Sequence, residues 1–175
     1  MRRHYISCTA VLATMVLTPG KAAARLNVPV ATRIVSFVQP QPQRQIDAAI
    51  IVDPANRDSE RDAAAIEEAI GSGLTVGQAT LRVRRVRTDA LAKLSGAQVA
   101  FVTAGLQGSY PQIAAATARQ SILTISADPD CVKDARCVVG ISSTPRVQIT
   151  INRAAARAAK IRFASAFLML VQEID

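Results

Sequence analysis

Ala48-Ala49-Ile50-Ile51-Val52-Asp53-Pro54 is the stretch on which the fold turns. Five apolar residues in a row, three of them β-branched and stopped abruptly by Asp-Pro, predict a strand buried on both faces, because a strand with one wet face alternates. Asp58 or Ser59 is placed to cap a following helix, whose Ala65, Ile66, Ala69 and Ile70 form one apolar face until Gly71-Ser72-Gly73 stops it. Leu81 to Arg87 then predicts a charged strand, Asp89 to Leu94 a helical turn, and Gln98 to Thr103 an apolar strand. Gly105 to Gly108 reads as a loop, Ser109 as an N-cap, and the segment to Arg119 as a helix with Pro111 in its first turn. Ile122 to Ile125 is the fourth strand. Strand and helix thus alternate through residues 46–126, the pattern of a parallel sheet with helices on both faces.

Working outward, Val30, Ile34, Phe37 and Val38 share one helical face, and Pro40 and Pro42 end that helix. Downstream, Val138 to Ile141 and the alternating Val147 to Ile151 flank a Ser-Ser-Thr-Pro turn, as an antiparallel hairpin does. Asn152 caps an alanine-rich helix to about Ala159, Ile161 to Phe163 is extended, and a final helix is predicted from Ser165. Phe167, Leu168, Leu170 and Val171, filled out by Ala166 and Met169, make that helix apolar all round, so it is expected to be buried in the domain or covered by a partner or a second copy. The expected fold is a single-domain α/β three-layer sandwich, its mostly parallel, flavodoxin/Rossmann-like sheet ending in an antiparallel hairpin.

Residues 1–24 have the layout of a secretory signal peptide: Arg2 and Arg3, an apolar stretch from Tyr5 to Leu17, Pro19-Gly20, and the small residues Ala22-Ala23-Ala24. The apolar stretch is shorter than the roughly 20 residues of a membrane span. Cleavage after Ala24 would leave residues 25–175 as one exported domain. It removes Arg2, Arg3 and Lys21 and no acid, so the net charge falls from +8 to +5. It also removes His4 and Cys8. A chain without histidine has no imidazole base, no Ser-His or Cys-His pair and no His-containing metal site, which excludes most hydrolase and metalloenzyme chemistry. We expect no enzyme, no cofactor and no metal.

In an open parallel sheet, ligands bind beyond the carboxyl ends of the strands. Here that rim comprises Asp53, Thr103, Gly105, Gly108, Ser109, Ser126 and Asp128. Gly105-Leu106-Gln107-Gly108-Ser109 lacks the G-x-G-x-x-G fingerprint, and Asp53 and Asp128 beside Pro54 and Pro129 also fit plain turn and capping roles. Arg82, Arg84, Arg85 and Arg87 crowd one strand. They fit a charged sheet edge that blocks aggregation, and few aromatics accompany them, so nucleic acid is not expected as a partner.

The stretches Ser121 to Ser126 (SILTIS), Val139-Gly140-Ile141, Val147 to Arg157 (VQITINRAAAR) and Ile161 to Ser165 (IRFAS) resemble the YfiR-like family of periplasmic proteins. The resemblance implies a periplasmic, non-enzymatic regulator that binds and represses the periplasmic domain of an inner-membrane signalling protein, with a diguanylate cyclase controlling cyclic-di-GMP as first choice. The alternative is a periplasmic small-molecule sensor working with a sensor kinase or an outer-membrane receptor. Cys131 and Cys137 fall where the family has a cysteine pair, which points to a structural disulfide. A redox sensor is the other reading, although the spacing is not that of C-x-x-C.

Overall fold

The computed structural model describes residues 24–41 and 44–175. The segment read as a signal peptide, apart from Ala24, lies outside them, as does Pro42. Asn27 opens the fold, its side-chain oxygen accepting from Val30 N at the start of α1 (Val28–Val35), with Pro29 in the first turn. The helix ends three residues earlier than its apolar spacing predicts. Phe37 leaves the helical path, and Val38 enters a two-residue strand, β1 (Val38–Gln39).

The buried run forms the core of β2 (Gln45–Val52) and leads into α2 (Arg57–Ile70). Neither expected cap is used there: Asn56 accepts from Asp58 N and Ser59 N, which frees the Ser59 hydroxyl for the interior. Gly71 ends α2 at φ +59°, and β3 (Leu74–Val76) follows, a strand the sequence pattern did not signal. A tight turn with Gly77 at φ +62° returns the chain into β4 (Ala79–Arg87). A 3-10 segment (Thr88–Leu94) leads to β5 (Val99–Val102), and a second one (Gln107–Ser109) runs directly into α3 (Tyr110–Arg119). Because that run is already helical, Ser109 makes no side-chain cap, contrary to expectation.

The chain continues through β6 (Leu123–Ser126), α4 (Pro129–Lys133), β7 (Val139–Ser142), β8 (Gln148–Asn152), α5 (Arg153–Ala158) and β9 (Arg162–Phe163). It closes with α6 (Ser165–Leu168) and β10 (Gln172–Ile174). The expected long apolar helix from Ser165 is therefore a single turn. Phe167 anchors that turn by stacking on Phe37, with ring centroids 4.7 Å apart, and leaning on Phe163 at 5.5 Å. The chain then extends, because the open edge of β8 offers backbone partners that a helix could not use.

One sheet runs β10-β8-β7-β6-β5-β2-β4-β3, and β1 pairs separately with β9. β2, β4, β5, β6 and β7 form a parallel core, the β7–β8 hairpin is antiparallel, and β10 adds parallel to β8 beyond it. Side chains of β2 divide by parity. Ile46, Ala48, Ile50 and Val52 join the layer of α1, α2, α5 and α6, while Ala49 and Ile51 join that of α3, α4 and the first 3-10 segment. A fully buried Ile contributes about 1.5–3 kcal/mol, so the central strand alone explains much of an alanine-rich core. The chain is thus a mostly parallel α/β three-layer domain.

β4 is not the outermost strand, since β3 flanks it, but β3 covers only Ala79 to Leu81. Its arginines are also largely engaged. Arg85 bonds Glu60 at 2.6 Å and Glu67 at 2.8 Å on α2, Arg87 bonds Asp89 at 2.6 Å, and Arg84 donates to the carbonyls of Lys93 and Ser95.

Candidate functional site

Two places could carry function, the rim at the carboxyl ends of β2, β5 and β6, and the far end of the sheet at β8 and β10. The first is where strand order reverses: β2 has β4 on one side and β5 on the other, so the carboxyl ends of β2 and β5 bound the crevice that usually takes ligands. Here α2 fills it. The Ser59 and Thr103 hydroxyls lie 2.6 Å apart, Thr103 donates to Ile51 O at 2.8 Å, and Ser59 accepts from Asp53 N at 2.9 Å. Asn56 donates to Gly105 O at 3.0 Å. Gly105 is at φ +78°, and a Cβ there would meet the Asn56 amide at 2.5 Å, so only glycine allows this approach. Asp62, 3% exposed, accepts from Leu26 N and Ala104 N, and burial pushes its pKa up.

Asp128 organises the next loop. One of its oxygens accepts from Asp130 N, capping α4; the other accepts from Tyr110 Oη and Gln107 Nε2, each at 2.7 Å. Burial, reinforced by that carboxylate, raises the Tyr110 phenol far above its ordinary range, so it remains a donor at any physiological pH. Ser126 donates to Val102 O and accepts from Asp128 N. Of the residues read as a ligand rim, Asp53, Thr103, Gly105, Ser126 and Asp128 are thus brought together in a hydrogen-bonded seam, while Gly108 has open space at its Cα and Ser109 has no cap to make. Asn56, Ser59, Asp62, Gln107 and Tyr110 complete the seam and are not among the residues read as a ligand rim; Ser59 is read only as a helix cap. Apart from the bond between Ser59 and Asp53 N and the helix-capping bonds of Asn56, their partners are 18 or more residues away.

Cys131 and Cys137 form a disulfide, Cα to Cα 5.2 Å, with both residues fully buried. It joins α4 to the approach to β7. Asn152 locks the same loop, donating to Val132 O at 2.9 Å while capping α5 through Ala155 N.

The second place is apolar. Met169 is 82% exposed and Leu170 80%, both in the turn between α6 and β10, and Val147 is 51% exposed where the chain enters β8. Parallel pairing of Gln172 with Thr150 places the two stretches side by side, and Gln148 Nε2 donates to Gln172 Oε1 across the same pair. Of the residues read as a partner surface, Phe167 is core, Leu168 and Val171 are half-buried, and Leu170 is exposed. Beside this end, α4, β7, β8 and β10 bound a hollow of about 270 Å³ whose polar lining includes Lys133, Ser142, Gln148 and Gln172. Among the described residues no His/Cys/Asp/Glu cluster could hold a metal, and no helix is long and apolar enough to cross a membrane.

Solved structures share this α/β architecture at low sequence identity. A conserved domain protein from Vibrio cholerae matches with TM-score 0.61 and 9% identity, over 85% of this chain and 58% of its own. The ligand-free, open form of a substrate-binding protein with adhesive properties from Clostridium difficile gives 0.58 and 11%, over 74% and 54%. An ABC domain in complex with L-Trp from Streptococcus pneumoniae gives 0.54 and 12%, over 84% and 59%. This chain therefore spans less than three fifths of each of these proteins. No curated protein matches the sequence. The chain belongs to the YfiR/HmsC-like family, whose sequence model matches residues 25–172.

Proposed function

We propose that this chain is an exported, periplasmic regulator without catalytic activity, which binds the extracytoplasmic domain of an inner-membrane signalling protein and restrains it, the partner being a diguanylate cyclase. The observation that carries the reading is the exposed Val147, Met169 and Leu170 at the β8–β10 end, on a domain whose usual ligand crevice is occupied by its own side chains. Large apolar side chains at such exposure cost solubility unless a partner covers them. β10 is also the last strand of the sheet, so its outer backbone groups are open to a partner segment. Family membership supports the regulatory role and the compartment.

The test replaces Met169 and Leu170 together with Asp, changes that leave the core untouched. Binding to the cyclase's periplasmic domain should weaken at least tenfold and cyclic-di-GMP should rise to the level of a deletion strain, with Tm unchanged. Undiminished binding with a normal Tm defeats the proposed surface. Cyclic-di-GMP unaffected by deleting the protein defeats the cyclase as partner.

A second reading, a small-molecule sensor, is supported by the hollow under β8 and β10 and by the fold shared with a substrate-binding protein and with a domain in complex with L-Trp. Its ligand would be small and partly polar, approached by Lys133, Ser142, Gln148 and Gln172. A thermal-shift screen with periplasmic metabolites tests it, and a shift that survives Gln148→Leu together with Lys133→Ala places the ligand elsewhere.

A further inference from the structure

Asp62 is, among the described residues, the one carboxylate in the buried interior. Its two oxygens hold one backbone N–H each, Leu26 at 3.2 Å and Ala104 at 3.1 Å. An ionised carboxylate offers about four acceptor sites, so two neutral donors leave the charge poorly compensated for its depth. Burial raises its pKa accordingly. Beyond the field of the Arg25 side chain, a further countercharge would arise one peptide away if the chain began at Arg25. Leu26 follows Arg25, and Arg25 follows the run Ala22-Ala23-Ala24 read above as the end of a signal peptide. Consecutive Cα atoms are about 3.8 Å apart, so an amine freed at Arg25 would arise beside the N–H that Asp62 already holds.

We propose that Asp62 is the receptor for the processed amino terminus. Hydrolysis of the Ala24–Arg25 peptide bond by a signal peptidase puts the hydroxyl of water on the Ala24 carbonyl and its hydrogen on the Arg25 nitrogen. Protonation from solvent makes that amine an α-ammonium, which pairs with the buried carboxylate. The proposal rests on reading residues 1–24 as a cleaved signal. Pairing would pin three pieces together: the amino-terminal segment, α2, and the loop Ala104-Gly105 that closes the crevice. The domain would then reach its final rigidity only after export, and a chain still carrying its signal would hold the crevice loop less firmly. Arg25 is the charged side chain whose field reaches Asp62 from outside α2, and on α2 Asp58 and Arg61 pair with each other.

The experiment uses the protein purified from the periplasm, whose intact mass reports where it begins, and the same chain retaining Ala23-Ala24, which moves the amine two residues away. The pH dependence of amine acylation reports the α-amine pKa. In the processed protein it should lie about one unit above the ordinary range of about 7.7–8.0, and the protein should unfold about tenfold less readily at pH 7 than the extended form. A raised amine pKa stabilises below its unfolded value, so this gap should close as pH rises through the folded value. Asp62→Asn should return the amine to its ordinary range and abolish the gap. If that variant does not fold, the amine pKa of the unaltered protein decides. A start at Arg25 with an ordinary amine pKa and no gap overturns the pairing and leaves the cleavage reading standing. A start elsewhere overturns both.

Discussion

At the scale of single residues, the rim is held by contacts that tolerate little change. Gly105→Ala would place a methyl 2.5 Å from the Asn56 amide in a left-handed conformation, and should cost about 2–3 kcal/mol in urea unfolding with an unchanged slope. Combined with Asn56→Ala, the two costs should fall short of additive, because removing the amide relieves the clash. Tyr110→Phe deletes one of two donors to a single Asp128 oxygen and leaves Gln107 in place, so a loss of about 1 kcal/mol is expected by the same measurement. Neither Asn56 nor Tyr110 stands out in the sequence, because each earns its role from a loop 18 or more positions away.

At the scale of elements, four junctions make distinct predictions. Arg85 ties β4 to α2 through Glu67, and its guanidinium holds the Glu67 carboxyl below the ordinary 4.5. A depressed carboxylate pKa stabilises above the unfolded value, and that contribution is lost as pH falls through the folded one. Both side chains are over a third exposed, so the pair is worth under about 1 kcal/mol. Glu67→Gln should therefore flatten stability slightly below pH 4.5, read by urea midpoints across an acid series. In the chain whose Arg25 is still joined to Ala24, Asp62 acts with the opposite sign: its raised pKa makes stability fall as pH rises from 3.8 through the folded value. The Cys131–Cys137 bridge closes a short loop, and Cys131→Ser or a reducing agent should lower stability by about 2–2.5 kcal/mol in the chain-entropy account, seen as a reduced Tm. β10 is held at the sheet's end, its Ile174 packed against the second core layer. Ile174→Asp should release it, and hydrogen exchange should then quicken at the end of β8 while the β2 amides stay protected.

At the scale of the whole molecule, both core layers share one sheet, with β2 buried between them. Thermal unfolding should accordingly be one cooperative transition, with far-ultraviolet circular dichroism and tyrosine fluorescence coincident; two separated transitions would mean the layers melt independently. What the amino-acid sequence by itself determined is whatever local pattern decides. The uninterrupted Ala48–Val52 run had to be a central strand, and the segment stopped by Gly71 had to be a helix, although its buried face runs through Asp62, Ala63, Ile66 and Ile70 and leaves Ala69 exposed. The Val147–Ile151 run had to supply a strand, and Asn152 capped the helix after it. Only the tertiary structure decided where competing partners lay. Ser165 to Ile174 is apolar enough for a helix, yet the Phe37 ring and the free edge of β8 divide it into one turn and a strand. Thr103 and Asp128 have the chemistry of a ligand rim, yet side chains arriving from α2 and α3 take up their hydrogen bonds, and the Asp53 carboxylate turns back to accept from Ala55 N in its own turn. The physical reason is range: turns, caps and hydrophobic period act within a few residues, whereas the filling of a crevice and the exposure of Met169 and Leu170 depend on which distant segments the folded chain brings beside them.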